Sequence, residues 1–224
     1  MKSAKGKLIV IDGVDGTGKS TQALLLEKVL KEKGAKVKKI HFPQYNTKSA
    51  GLVEEYLNGK YGSSKEVGAR RASMFYACDR YDASFKIKKW LQAGYVVIAD
   101  RYVTANMAHQ GGKIKNERDR KKFFDWLLDL EYEIFKIPEP DEILILHLNI
   151  EIAQNLAKTR NKKKWKNKTK DIHEDDLNHL KMAEKIYLEI AEKHKKIKFI
   201  KCAENKKILS RQKIHEMICK QLDI

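Results

Sequence analysis

A chain of 224 residues with 42% hydrophobic content can bury one α/β core but is short for two independent ones, so a single domain over 1–224 is expected. The net charge of +17, mostly lysine, suits polyanionic partners (nucleic acid, nucleotides or an anionic surface), or else reflects lysines spread over solvated helix faces. Cys78, Cys202 and Cys219 are too few and too scattered for a disulfide framework, which fits a reducing cytoplasm, and no apolar run approaches the roughly 18 residues of a membrane span.

"KLIVID", residues 7–12, reads as a buried strand, its apolar run too short for a signal peptide. A glycine-rich turn follows, then a helix over about 20–33 with Leu24, Leu25, Val29 and Leu30 on one face and Gly34 as its cap. "AKVKKIHF" is a second strand ended by Pro43, and "SAGLVEEYLNG" a short helix closed by Gly59. An unusually long helical pattern spans 64–93 and stops at Gly94. "YVVIAD" is a third buried strand, 119–136 an amphipathic helix, "EILILHL" a fourth strand and 150–160 a helix. After the lysine run "NKKKWKNKTK" come a helix over 172–195, a short strand "KIKFIK" and a terminal helix over 207–222. Strands alternating with helices imply βαβ units, hence a doubly wound α/β domain: a five-stranded parallel sheet with helices on both faces.

Residues 13–20 of "IDGVDGTGKST" fit G-x-x-x-x-G-K-[ST] at Gly13, Gly18, Lys19 and Ser20, with a strand before and a helix after. Such a loop cradles phosphate in backbone N–H groups, Lys19 reaches the β- and γ-phosphates, and Ser20 offers its hydroxyl to Mg²⁺. Gly13, Val14, Asp15, Gly16, Thr17, Gly18, Lys19, Ser20 and Thr21 are therefore the candidate ATP site. Asp15 is anomalous, because a carboxylate aimed at a triphosphate would oppose the rest of the loop. It is either a solvated surface residue or an acceptor for a hydroxyl of a second substrate, which would make the reaction a transfer between two small molecules.

Asp100 and Arg101 follow the third strand, at the sheet edge where doubly wound folds bind ligands. A P-loop enzyme needs there a carboxylate to hold Mg²⁺ and a cation to offset charge on the moving phosphoryl group. The alternative is a structural salt bridge. Tyr76 and Arg80, at i and i+4, face one side of one helix, as a nucleobase site would require; taken alone, Phe75 and Tyr76 read as core or interface.

"GVDGTGKSTQ", "HFPQY", "FYACDRYDA", "VVIADRYVTANMAHQGGK", "IPEPDEILILHL" and "DIHEDDLNHLKMAEKIYLEIA" resemble, in order and spacing, the thymidylate kinase family from about residue 7 to 220. The resemblance implies a P-loop nucleoside monophosphate kinase fold with a mobile lid. It implies phosphorylation of dTMP to dTDP with ATP as co-substrate and Mg²⁺, in a homodimer. The alternatives are the same fold acting on another acceptor such as dUMP or a deoxynucleoside, and a basic nucleic-acid-binding P-loop protein. The sequence holds no nucleic-acid recognition motif and no membrane span, so neither partner is expected. The resemblance assigns Asp15 to the 3′-hydroxyl of dTMP, Tyr76 to stacking on thymine, and Phe42 to the wall of the base pocket. Arg80 falls where an arginine reaches the base or the acceptor phosphate, Arg101 where one contacts the acceptor phosphate, and Asn106 and Gln110 where polar groups face base or sugar. Lys19, Asp15, Asp100, Arg101 and Arg160 form the implied catalytic set, with Ser20 and Asp100 at the metal.

Two positions depart from the family pattern. Gln44 and Tyr45 follow Pro43 where many relatives have an arginine, and Gly16 occupies the loop position where some relatives carry an arginine. The lid, about 160–171, should then supply that charge, from Arg160 or from Lys162, Lys163, Lys164, Lys166, Lys168 or Lys170, and should be poorly ordered without ATP. Asp171 and Glu174 suit the start of the next helix. His173 and His179 lack zinc spacing, and His109 falls near the expected sugar, where it excludes ribonucleotides or only lines the pocket. Phe85, Trp90, Phe123, Phe124 and Trp126 exceed what one sheet face needs, so a dimer interface through helices 64–93 and 119–136 is an alternative to core.

Overall fold

A computed structural model describes residues 6–152, 177–194, 196–205 and 207–224. Strand β1 (Lys7–Asp12) is buried from Leu8 onward, as a continuous apolar run must be when both faces of its sheet are covered. Helix α1 (Lys19–Glu32), strand β2 (Val37–His41), helices α2 (Gly51–Leu57) and α3 (Ser64–Gln92), and strand β3 (Val96–Asp100) follow. Next come α4 (Val103–Gly111), α5 (Glu117–Leu128) continued by a wider π-helical turn (Asp129–Ile134), and β4 (Glu142–His147). Helix α6 (Leu177–Lys193), strand β5 (Ile197–Lys201), the short antiparallel pair β6 (Ala203–Glu204) and β7 (Lys207–Ile208), and α7 (Arg211–Gln221) complete the described chain.

The main sheet is parallel throughout, in the order β2-β3-β1-β4-β5. Ile11 sits opposite Asp100 on β3 and opposite Leu144 on β4, so the carboxyl ends of the central strands finish at one level. The loops after β1 and β3 therefore meet at the edge where the candidate phosphate loop and the Asp100–Arg101 pair lie. The core runs along both faces of these strands, with Leu8, Val10, Ile11, Val97, Ile98 and Leu144 fully buried.

Four local expectations change. Along α1 the buried stripe is Gln22, Ala23, Leu26 and Leu30, and Leu24 is 57% exposed. Three consecutive leucines leave the helical phase open, and the anchored loop at Lys19 sets it. The long helix α3 is interrupted at Gly68, whose φ of 74° and ψ of 168° are not helical, behind a capping box of Ser63 and Glu66. Helix α4 was not expected; every residue in it but His109 is buried, so it lacks the polar face that gives a helix its periodic signature. The terminal helix begins at Arg211 rather than 207, capped by Ser210, whose hydroxyl accepts from Lys213 N–H at 3.1 Å, because Lys207 and Ile208 pair with β6.

Candidate active site

The phosphate loop is built where β1 must turn into α1. At Gly13, with φ 137°, a Cβ would lie 2.4 Å from the carbonyl of Leu146 on the adjacent strand, so no other residue fits. Gly18 caps α1 in the left-handed region with φ 91°; no side chain satisfies the helix's first N–H groups, and no acid stands in its first turn. An uncapped helix N-terminus of this kind can hold an anion. Thr17 Oγ1 and Lys19 Nζ both donate to the carbonyl of Val14, at 2.9 and 3.0 Å, folding the lysine back over the loop. Burial, followed by repulsion from Arg101, lowers the Lys19 pKa; Asp15, Asp100 and Asp12 offset part of this.

Ser20 Oγ donates to Asp100 Oδ2 at 2.7 Å, which brings the two candidate metal ligands together across 80 residues of sequence. Oxygen donors in this small number suit Mg²⁺, which keeps several waters and takes phosphate oxygens for the rest of its shell. Among the described residues no group of three or more His, Cys, Asp or Glu is arranged for an all-protein metal cage.

Arg101 has φ 69°, a left-handed conformation held by the bond from its N–H to the carbonyl of Ile11 at 3.0 Å. Its Nη2 donates to Asp15 Oδ1 at 2.7 Å, and Lys19 Nζ lies 3.9 Å from the same oxygen. Burial disfavours the Arg101 charge, but Asp15, then Tyr187, Asp12 and Asp100, outweigh it, and the pKa is raised. Desolvation likewise pushes the Asp15 carboxyl up, yet Arg101 and then Lys19 outweigh it and hold it below the usual carboxylate range. That shift is screened by water, because the Asp15 side chain is 62% exposed.

One organising residue was not singled out in the sequence. Asp12, fully buried at the end of β1, accepts from Gly13 N–H at 2.9 Å, Thr104 Oγ1 at 2.5 Å and Tyr187 OH at 2.6 Å. It ties α4 and α6 to the start of the phosphate loop. The only sequence signal was a carboxylate directly after a buried strand.

Beside the loop opens a cavity of about 230 Å³, and Asp15, Phe42, Tyr76, Arg80, Arg101, Asn106 and Gln110 all line it. The elements bring these seven together from β1, β2, α3, β3 and α4. Phe42, joined to Pro43 by a cis peptide, packs on Tyr102 at 5.6 Å between ring centres. Tyr76 meets Tyr56 edge-on, while Phe75 turns away to Tyr56 and Tyr61 in a satellite cluster. The amide of Asn106 donates to the carbonyl of Ser73 at 3.2 Å; its Oδ1 and the Oε1 of Gln110 are buried with no hydrogen-bond partner. Buried acceptors left this way at a cavity wall favour a ligand that brings N–H or O–H donors.

Arg80 reaches the cavity only in part. Its Nε donates to both oxygens of Glu131 at 3.0 Å and Nη2 also binds that carboxylate, with both side chains buried. Burial disfavours the Arg80 charge, but Glu131 outweighs it and raises the pKa. Gln44, at the position after the Phe-Pro turn, is also buried: its N–H and its amide donate to the carboxylate of Asp79 at 2.9 and 3.0 Å, and Lys86 donates to its carbonyl. Gln44 is thus a structural tie between the turn and α3, with its side chain directed into the protein. Arg160, the lysines of 162–170, Asp171, His173 and Glu174 lie outside the described residues.

A family model described as thymidylate kinase matches residues 11–214. The curated thymidylate kinase of Brachyspira hyodysenteriae is 34% identical over 152 residues, covering 67% of this chain and 68% of that protein. The probable thymidylate kinase of Thermococcus kodakarensis is 30% identical over 202 residues, covering 88% and 90%. The solved thymidylate kinase of Candida albicans, described as having broad substrate specificity, superposes with a TM-score of 0.72 at 27% identity, covering 99% of this chain and 92% of that one.

Proposed function

This chain belongs to the thymidylate kinase family, and we propose that it transfers the γ-phosphoryl group of ATP to dTMP, with Mg²⁺ as counter-ion and the residue roles that follow. The reaction is the phosphorylation of dTMP to dTDP by a phosphotransferase. Phosphoryl transfer asks little covalent chemistry of the protein, so the residues act by positioning and by offsetting charge.

The uncapped start of α1 and the loop from Gly13 to Thr21 hold the donor phosphates, with Lys19 leaving Val14 for the β- and γ-phosphates. Ser20 and Asp100 would hold the metal ion, which would supply positive charge to offset that on the transferring group. Arg101 meets the acceptor phosphate. Asp15 accepts from the 3′-hydroxyl of the acceptor sugar. Tyr76 stacks on the base, Phe42 walls it, and the free carbonyls of Asn106 and Gln110 face base or sugar, where thymine offers one donor, its ring N3–H. Arg80, with Nε and Nη2 turned to Glu131, offers Nη1 to the same site. With Gln44 tied to Asp79, Arg101 is the arginine left for the acceptor phosphate, and Arg160 or a neighbouring lysine serves the donor side.

The observation behind this reading is that Asp15 belongs at once to the phosphate loop and to the wall of the adjoining cavity. The test is a panel of acceptors with ATP and Mg²⁺. dTMP should give dTDP with the highest kcat/KM; if dTMP were no better than UMP or AMP, the acceptor assignment would be wrong.

A homodimer is part of the proposal. The partly buried Trp90, Phe124 and Trp126 pack on the core and Phe123 lies within it, whereas Met74, Tyr81 and Phe85 stand 41–55% exposed along α3. Tyr81 contacts both Phe85 and Phe135, forming an aromatic strip that a second copy covers. The cytoplasm is the proposed location, in keeping with three cysteines that form no disulfide.

A further inference from the structure

Arg101 is gripped from two sides, and only one of them is the phosphate loop. While Nη2 donates to Asp15, Nη1 lies 3.0 Å from Nε2 of His109 on α4. A guanidinium has donors only, so at that separation Nε2 must be the acceptor and carry no proton. The proton of the neutral ring then sits on Nδ1, which is 3.2 Å from Nε2 of His179 on α6. That nitrogen in turn must accept. One arginine contact thereby dictates the tautomer of two imidazoles.

The second ring is placed to hold the first. His179 is 8% exposed and outside the cavity lining; its ring centre is 5.4 Å from that of His109, and Tyr187 abuts His109 edge-on at 6.1 Å. Tyr187 is itself fixed by Asp12. The ring of His109 is thus braced by α6 at two points.

We propose that His109 and His179 form a positioning relay that keeps the Arg101 guanidinium aimed at the acceptor phosphate once Asp15 turns to the acceptor sugar. The inference rests on the roles given to Arg101 and Asp15 above. Binding of the acceptor draws Asp15, one of the two anchors of the guanidinium, towards the sugar hydroxyl; the imidazole anchor is on the other nitrogen, Nη1, does not involve Asp15, and persists. A long arginine side chain without it would sample other rotamers at the moment its geometry matters.

The contact exists only while His109 is neutral, because a protonated Nε2 would be a donor facing a cation. The charged and titratable groups around the ring are Arg101, Asp15 and Lys19 at the loop, and His179 and Tyr187 from α6. Tyr76 and Arg80 of α3 share its cavity, and α5 presents Phe123 and Phe124 to α4 at Gly111. Arg101 opposes the imidazolium and Asp15 favours it.

The experiment measures kcat and KM for dTMP from about pH 5.5 to 9 in the full chain, at saturating ATP and Mg²⁺, with variants at both rings. His179→Leu removes the acceptor of the Nδ1 proton without altering the cavity lining; its kcat should fall about tenfold with little change in KM. His179→Gln, whose carbonyl accepts, should restore most of the loss. His109→Gln supplies an acceptor that does not titrate, and should flatten the acid limb of kcat. If His179→Leu keeps the wild-type kcat, or loses activity only through KM, the relay is wrong. Should His179→Leu not fold, His109→Gln decides, and an unchanged acid limb overturns the relay. Arg101→Ala separates the two readings. If it retains turnover, the role of Arg101 falls; if it loses turnover while the histidine variants match wild type, the relay alone falls.

Discussion

Arg80 and Glu131 form a sealed ion pair across 51 residues: Nε of the arginine donates to both carboxylate oxygens at 3.0 Å, with 2% and 0% of the side chains exposed. The pair joins α3 to the π-helical turn after α5 and fixes the inner wall of the cavity. A buried charge left without its partner is costly, whereas the intact pair adds little over an apolar replacement.

Glu131→Ala should therefore destabilise the protein by about 3–5 kcal/mol in denaturant unfolding and weaken dTMP binding, because Arg80 loses its orientation. A cost below about 1 kcal/mol would mean that Arg80 finds another partner or solvent.

Lys19, proposed to serve the donor phosphates, is folded onto Val14. Lys19→Ala should lower kcat by about a hundredfold or more while dTMP affinity, measured by calorimetry, changes little. Affinity falling in step with turnover would place Lys19 on the acceptor side.

Lys113, two residues past α4, donates to Tyr56 OH at 2.8 Å and to the carbonyl of Ser64 at 3.3 Å, and burial lowers its pKa to about 8. A lysine whose folded pKa is depressed penalises the folded state while charged. The penalty is full below about pH 8 and is relieved as pH rises towards the unfolded value of 10.5. Across that window the melting temperature of the wild type should rise relative to Lys113→Met. A difference independent of pH would contradict the shift.

The sequence was most readable where chemistry is local. The phosphate loop with the strand before it, and strand β3 with the Asp100–Arg101 pair at its end, are contiguous runs whose residue types dictate their geometry. Helix α4 was hidden because burial on all sides erases the 3.6-residue period, and with it went the surroundings of Asn106, His109 and Gln110. Glu131 was hidden for another reason. It lies in "DLEYEI" among Asp129 and Glu133, and nothing in that run tells which acid turns inward to Arg80. The bonds from Thr104 and Tyr187 to Asp12 span 92 and 175 residues, so only the fold brings them together. Gln44 reads as a lost arginine in sequence and as a tie to Asp79 in the structure.

The central claim is that Asp15, now bound to Arg101, serves as the acceptor for the sugar hydroxyl. The measurement that tests it most directly compares dTMP with its 3′-deoxy analogue in the wild type and in Asp15→Asn. Asp15→Asn should lower kcat/KM for dTMP about ten- to a hundredfold, the worth of a hydrogen bond to a charged group, and should lower it far less for the analogue. An equal loss with both nucleotides would mean that this carboxylate does not touch the 3′-hydroxyl.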